Sequence, residues 1–403
     1  MRATRLGPDA TASEIRALVP AAGDVEADVR AILDEVRAGG DAAVRRLTER
    51  FDHAELAPEE LAVPPAEIDA AIGTLEPAVL AGLREAIANV RAVARAQLRD
   101  PVRVELEAGQ AVQVDELPVR RAAAYVPGGR APYPSTVVMC ATTARVAGVD
   151  ELAVCAPPGP GGQAHPAILA ACGLCGVTEV YRMGGAQAIA ALAYGTESVA
   201  PVDVVVGPGN RYGTEAKRQV AGAVGIDGLA GPSELVVVAT AGADPELVSL
   251  DLAAQAEHGP DSLVVAISPD RGLLDALEGD FALAEARDAR AAVRLADAIA
   301  PEHLQLMGEE AEALAGSVRS AGALFVGSAA GTAFGDYVAG SNHVLPTGGA
   351  ARFASALSPA TFRRRMARIS LPPGAAARLA PAGAAVARAE GFPVHAESME
   401  RRA

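Results

Sequence analysis

Between residues 122 and 206 the chain repeats one pattern. AAAYV (122–126), ELAVCA (151–156), TEVYRM (178–183) and VDVVV (202–206) are strand-length, apolar and separated by helix-length segments. Strands apolar on both faces are buried between helical layers, as in a parallel sheet built from βαβ units. The alternation resumes with ELVVVAT (234–240), a helical stretch through about 257, and SLVVAIS (262–268). The pattern predicts an α/β protein with two doubly wound parallel sheets, joined near Gly231-Pro232.

Upstream, VEADVRAILDEVRAGGDAAVRRLTERFD (25–52) carries apolar positions at three- and four-residue spacing, broken at Gly39-Gly40 and restarted at Asp41 as an N-cap. It predicts a pair of amphipathic helices. A second helical block covers about 66–98, and the pattern changes near Arg120, which reads as a domain boundary. Downstream, from about Ser358, the chain is Ala/Arg-rich and reads as helical, with Pro372-Pro373 as a break. This tail is too thin to fold alone and reads as an arm packed on a partner subunit. The run Arg363-Arg364-Arg365 reads as a solvated face or a subunit contact.

The length, 403 residues, allows two to four domains. Apolar residues make up 50% and aromatics 3%, with no Trp, so the core is aliphatic. The net charge of −15 repels a phosphate backbone, which argues against nucleic-acid binding. No run approaches the ~18 apolar residues of a membrane span, and the polar start lacks the apolar core of a secretory signal, so the chain reads as cytoplasmic. Cys140, Cys155, Cys172 and Cys175 do not form a disulfide framework. Cys172-x-x-Cys175 is open to a redox or metal reading, but its apolar surroundings favour packing.

Three glycine turns follow predicted strands: YVPGGRAPYPST from Tyr125, MGGAQAIAALAYG from Met183, and VGPGNRYGTEAKRQ from Val206. In open parallel sheets ligands bind beyond the carboxyl ends of strands, where such turns let the backbone approach and helix N-termini offer N–H groups. Each turn alone is compatible with simple packing. Together, with Tyr125, Gln187 and Asn210 for stacking and amide contacts, they favour a nucleotide or phosphate ligand. An acidic residue about 20 positions beyond a glycine turn, the usual ribose partner, is not evident.

The six histidines include four in polar clusters. Gln255 and His258 sit at i, i+3 at the end of a helix closed by Gly259-Pro260. Glu302 and His303 follow Pro301, Asp336 and His343 lie in a segment read as a glycine-flanked loop, and Glu390 and His395 lie near the C-terminus. Gln255, His258, Asp336 and His395 together offer two imidazoles, a carboxylate and an amide oxygen, a set suited to zinc as a Lewis acid. Singly, each histidine is more often satisfied or solvated than a ligand, and Glu302-His303 also reads as a solvated helix start. An adjacent Glu and His also supply two bases of different pKa.

These strings, in this order, resemble the histidinol dehydrogenase family over nearly the whole chain: VRAGGDAAVRRLTERFD, YVPGG, GGAQAIAALAYGTE, VGPGN, EAKRQV, AGPSE, AEHGPDS, PEHLQL, GDYVAGSNHVLPTGG and His395. The resemblance implies a four-electron oxidation of L-histidinol to L-histidine through the aldehyde, with two NAD and one zinc per site. It implies Gln255, His258, Asp336 and His395 as zinc ligands and Glu302 and His303 as the acid/base pair. It further implies that Ser233, His343 and Glu390 hold the substrate, together with those ligands and His303, and that Tyr125, Gln187 and Asn210 hold NAD. A homodimer is implied, with a C-terminal arm completing the neighbour's site. Arg130 and Thr142-Thr143 depart from the family's pattern beside the presumed nucleotide turn.

The domain layout expected is a helical segment (1–24), a discontinuous α/β domain with the metal and catalytic residues (25–123 with 233–357), a Rossmann-like NAD domain (124–232) and a C-terminal helical arm (358–403). Three other readings compete: the same fold and zinc oxidising another primary alcohol such as a sulfonated diol, a zinc hydrolase in which Glu302 activates water without nucleotide, and a noncatalytic binding protein. Retention of Ser233, His343 and Glu390 argues for histidinol.

Overall fold

The computed structural model describes residues 4–20, 23–128 and 131–403. It divides into two compact units, Met1–Ala96 with Arg120–Phe362, and Gln97–Val119 with Arg363–Ala403. In chain order the elements begin β1 (Arg5–Leu6), α1 (Ala12–Arg16), α2 (Glu26–Asp52), α3 (Pro65–Ile72), α4 (Pro77–Ala96), β2 (Val102–Glu105) and β3 (Ala111–Pro118). There follow β4 (Arg121–Tyr125), α5 (Pro134–Ala147), β5 (Glu151–Ala156), α6 (Pro166–Leu174), β6 (Glu179–Arg182), α7 (Gly185–Tyr194), β7 (Val204–Val206), α8 (Arg211–Val220) and β8 (Gly225–Ile226). The next are β9 (Glu234–Ala239), α9 (Pro245–Ala256), β10 (Leu263–Ser268), α10 (Arg271–Ala276), β11 (Ala282–Glu285), α11 (Ala289–Ile299), β12 (His303–Met307) and α12 (Glu309–Glu312). The chain closes with β13 (Ala323–Val326), α13 (Thr332–Tyr337), β14 (Arg363–Ser370), α14 (Pro373–Ala389) and α15 (Pro393–Glu400).

The first unit holds two parallel sheets, ordered β6-β5-β4-β7-β8 and β1-β11-β10-β9-β12-β13. Each is wound alike: a central strand (β4 or β9), two strands to one side, then a crossover to the other. The apolar runs quoted above are its buried strands, as their doubly apolar pattern demands. Leu235, Val236, Val237 and Val238 are all fully buried, and burial of each such side chain contributes about 1.5–3 kcal/mol.

The helices of residues 26–96 pack differently from the expected layout. α2 lies on α7 and α8, α3 on α6, and α4 on α5, so all three clothe the β4–β8 sheet rather than the sheet of residues 233–357. Val29, Ile32, Val36 and Leu47 share one core with Ile189 and Val205. Amphipathic spacing shows that a helix face is buried, not which sheet it covers. The kink in α2 falls at Gly40, with φ +53°, where a Cβ would lie 2.2 Å from Glu197 Oε2. Asp41 does not cap its own helix: its carboxylate accepts from Thr196 Oγ1 and from the N–H and Oγ of Ser198, tying α2 to the loop after α7. Among the described residues, 4–20 are not a separate segment. β1 pairs with β11, and Ile15 of α1 enters the core of the second sheet.

The second unit corrects the helical-arm reading. Residues 363–370 form a strand pairing antiparallel along the full length of β3, which also pairs with β2. Arg363, Arg364 and Arg365 therefore lie on a strand; Arg365 pairs with Glu116 at 3.1 Å and Arg368 with Asp115 at 3.1 Å. Residues 97–119 thus belong with the tail, not with the α/β core. α14 and α15 form a helical hairpin around Ala384, Ala387 and Ala396.

Candidate active site

In the β9–β12 sheet the polar cluster gathers where the strand order reverses, at the amino ends of β9 and β12. This is the opposite end from that favoured by ligands of doubly wound sheets. Ser233 immediately precedes β9, Glu302 precedes β12 and His303 opens it. His303 is 3% and Glu302 7% exposed, so the solvated-helix reading of this pair gives way to a buried strand start.

Glu302 Oε2 accepts the Ser233 hydroxyl at 2.6 Å and the Glu234 backbone N–H at 2.8 Å. The amide of Gln255, on the last turn of α9, donates Nε2 to Ser233 Oγ at 2.6 Å. His303 Nδ1 lies 3.0 Å from the Glu234 carbonyl and 3.6 Å from Glu302 Oε2, and its Nε2 lies 3.5 Å from Asp336 Oδ1. Burial pushes the Glu302 carboxyl above its ordinary range, against the opposing pull of His303, Ser233 and the Glu234 N–H. Burial would lower the His303 imidazole, but Glu302 and Asp336 outweigh it and raise it. Asp336 is lowered: burial opposes its charge, and His303, His343 and His258 override that.

Asp336 lies in the short helix α13 rather than in a loop. His343 follows in the adjoining loop, its Nδ1 2.8 Å from the Asp336 carbonyl and its Nε2 3.3 Å from Thr136 Oγ1. Burial lowers its imidazole pKa, which keeps the ring neutral. His258 lies just beyond α9, exposed, with Nδ1 3.2 Å from the Gln255 carbonyl. Glu390 caps α14 and His395 lies in α15, its ring 5.3 Å from that of Phe392; both belong to the second unit. Among the described residues, no three His, Cys, Asp or Glu side chains form a complete metal cage within the chain.

The β4–β8 sheet carries its polar groups at the carboxyl ends of its strands. Tyr125 ends β4 and its hydroxyl accepts the Gly185 N–H at 3.1 Å. Asn210 Oδ1 caps α8, accepting from the N–H groups of Tyr212 and Gly213 at 3.0 and 3.1 Å. Gly207, at φ +112°, leaves no room for a Cβ, which would lie 2.1 Å from the Tyr125 carbonyl. The turn is pinned by a buried ion pair: Lys217 Nζ reaches the Gly207 carbonyl and Asp227 Oδ1, and Asp227 Oδ2 accepts the Gly207 N–H at 2.6 Å. A cavity of about 800 Å³ opens here, lined by Tyr125, Gln187, Asn210, Asp52, His165 and Tyr212 among others. Its size and polar rim suit a nucleotide.

The structure brings together Ser233, Gln255, Glu302, His303, Asp336 and His343 in one group, and Tyr125, Gln187 and Asn210 in another. Arg130 lies outside the described residues. Thr142 and Thr143 do not flank the glycine turn after β4. They lie inside α5, where Thr143 Oγ1 donates to the Met139 carbonyl at 2.6 Å and accepts from Asn342 Nδ2 at 3.2 Å, steadying the loop that carries His343. Cys172 and Cys175 are free and buried, with both thiols raised by burial, Cys175 to about 11, the reverse of a reactive redox pair. Glu234 and Arg16, which back the Glu302–His303 pair, and Thr136 carry no role in the sequence pattern. An acid opening an otherwise apolar buried strand was the one available signal, at Glu234.

The model of the histidinol dehydrogenase family matches residues 19–283 and 275–403. The histidinol dehydrogenase of Cereibacter sphaeroides is 44% identical over 400 residues, covering 94% of this chain and 92% of its own. That of Rhizobium meliloti is 44% identical over 400 residues with the same coverage. The crystal structure of histidinol dehydrogenase from Elizabethkingia anophelis superposes with a TM-score of 0.92 at 30% identity, over 99% of this chain and 98% of that one.

Proposed function

The chain belongs to the histidinol dehydrogenase family, and on that premise we propose that its buried Glu302–His303 pair drives a four-electron, zinc- and NAD-dependent oxidation of L-histidinol to L-histidine through L-histidinal. The observation that carries this reading is the placement of two bases of different kind beside one acidic side chain: His303 lies between Glu302 and Asp336, at 3.6 and 3.5 Å.

The donors present fit a zinc ion. The Nδ1 of His258 lies beside the Gln255 carbonyl, and His258 acts electrostatically on Asp336, so an imidazole, an amide and a carboxylate come from neighbouring positions. Gln255 spends its amide N–H on Ser233, which turns the amide oxygen to the ligand role. With the Asp336 carboxylate and His395 these make a site of one anionic and three neutral donors. When bound, zinc supplies Lewis acidity and orients the substrate's amine and imidazole. The hydride acceptor, NAD, fits the cavity of Tyr125, Gln187 and Asn210 at the carboxyl ends of β4 and β7 and at the N-terminus of α7.

The residues divide the chemistry. His303, in its neutral form, takes the hydroxyl proton as hydride leaves the carbinol carbon, giving the aldehyde. Glu302, held ready by Ser233 and the Glu234 N–H, removes a proton from the water that adds to the aldehyde; loss of a second hydride from the hydrate gives the carboxylic acid. His343 and Glu390 hold the substrate. Burial of the pair keeps bulk water from the aldehyde between steps.

The reading includes a homodimer in which the second unit's Glu390 and His395 complete the site of the other copy. On that unit's sheet, Val102, Val114 and Ala367 form one cross-strand row and Val104, Val112 and Ile369 the next, on a single face. Val102, Val104 and Ile369 are exposed, as are Val386, Phe392 and Val394 on its helices. An apolar surface of this extent fits burial in an assembly. A cytoplasmic location fits four free, buried cysteines and, among the described residues, the lack of any helix long and apolar enough to cross a membrane.

The test is to identify the product formed by purified protein from L-histidinol and NAD, before and after chelation. L-histidine formed, lost on chelation and restored by zinc, is the expected result; turnover insensitive to chelation, or no turnover of histidinol, overturns the reading.

A further inference from the structure

The cavity at the carboxyl ends of β4 and β7 contains a carboxylate that no part of the fold requires. Asp52 is the last residue of α2 and lines this cavity with Tyr125, Gln187 and Asn210. Its Oδ2 is closed off from bulk solvent and has no hydrogen-bond partner. The charge also sits at a helix C-terminus, where the backbone carbonyls already concentrate negative potential. Burial, helix position and lack of a donor all disfavour it.

A second polar group in the same cavity is equally unused. Gln187, on the first turn of α7, is 1% exposed, and neither its amide oxygen nor its amide nitrogen has a partner. Buried polar atoms left unpaired are costly and uncommon. Two unpaired polar side chains lining one cavity mark a place where a ligand supplies the missing partners. An unpaired carboxylate asks for donors, and a pair of vicinal hydroxyls is the donor arrangement that fits its two oxygens. Among the described residues, no Lys or Arg lines the cavity, so it offers no counter-cation to a phosphate beside that carboxylate.

We propose that Asp52 receives the ribose hydroxyls of the adenosine half of the dinucleotide and sets the preference of this site for NAD over its 2′-phosphorylated analogue. A carboxylate in that position bonds a free 2′-hydroxyl and repels a 2′-phosphate. It thereby takes the part of the acidic residue that the sequence downstream of the glycine turns does not supply. The inference rests on the cavity being the NAD site.

The experiment measures dissociation constants of the zinc-loaded full chain and its Asp52→Asn variant for NAD, NADP and nicotinamide hypoxanthine dinucleotide, alongside steady-state kinetics. D52N should bind NAD roughly tenfold more weakly, the order expected when charge-assisted hydrogen bonds are lost. The margin between NAD and NADP should narrow, while kcat at saturating NAD and KM for histidinol stay unchanged. The loss should be the same with the hypoxanthine analogue, which lacks the adenine amino group; a loss confined to NAD would mean that Asp52 reads the base and would overturn the proposal. Unchanged affinities for NAD and NADP in D52N would also overturn it. Absence of NAD binding by the wild-type protein would instead overturn the assignment of the cavity itself. Melting of D52N at or above the wild-type temperature separates a ligand role from a structural one.

Discussion

Glu234 and Glu302 hold each other by crossed hydrogen bonds: the Glu302 carboxylate accepts the Glu234 N–H at 2.8 Å, and the Glu234 carboxylate accepts the Glu302 N–H at 3.2 Å. Two buried acids so close are tolerable because their charges are dealt with separately. Glu234 faces Arg16 at 2.9 Å and the Gly348 N–H at 3.0 Å, while Glu302 faces Ser233 and His303. Arg16 also spans the Ile299 and Ala300 carbonyls just ahead of Glu302 and His303. The N-terminal helix therefore braces the site from behind.

Removing Arg16 leaves Glu234 as an uncompensated buried charge. Arg16→Met should cost about 3 kcal/mol of stability, measured as a fall in the denaturant midpoint. The double variant Arg16→Met with Glu234→Gln should recover part of it, because the charge that lacked a partner is gone.

The Ser233 hydroxyl pulls the Glu302 pKa down against burial. Ser233→Ala removes that pull, so the Glu302 pKa rises further and less carboxylate is present at neutral pH. The acidic limb of the rate profile for histidinal oxidation should move to higher pH, with kcat/KM at pH 7 down about tenfold and largely regained in alkaline buffer. A uniform loss at all pH values would assign Ser233 to substrate binding alone.

Burial raises the Asp52 carboxyl to about 6 from 3.8, with His53 a small opposing influence. A carboxyl with a raised folded pKa is favoured in its protonated form, so it costs stability once pH climbs through that range. Discounting for its partial exposure, D52N should gain about 1 kcal/mol at pH 7.5, read as a melting point a degree or more above wild type. The gain should shrink as pH falls from about 6 toward 3.8 and vanish only below about pH 3, where both states carry the proton.

The parallel sheets were legible because ELAVCA and ELVVVA are strand-length, apolar on both faces and bounded by turns, as buried parallel strands are. β12 escaped notice because HLQLM opens with His303 and carries Gln305 in its middle, and these two buried polar side chains break the apolar run. The pairing of residues 363–370 with 111–118 was invisible, since RRRMARIS finds its partner some 250 positions away and local pattern carries no long-range register. The candidate site residues themselves came from the family's motifs. Spacing alone left every histidine open to a structural role, and Asp52 and Arg16 carry no local signature at all.

A swapped arm makes a sharp prediction for mixed subunits. His303→Ala and His395→Ala proteins should each be inactive. Subunit exchange between them should restore about a quarter of wild-type activity, since half the dimers are mixed and each has one intact site. Activity that stays at the sum of the two inactive proteins would place His395 in its own chain's site.

The central claim is that one site, with His303 and Glu302 in turn, carries an alcohol through to an acid. Counting NADH formed per L-histidinol consumed by the zinc-loaded protein tests it most directly. Two NADH per histidinol, falling to one with aldehyde accumulating in Glu302→Gln, is the result predicted; one NADH per histidinol in the wild-type protein would contradict it.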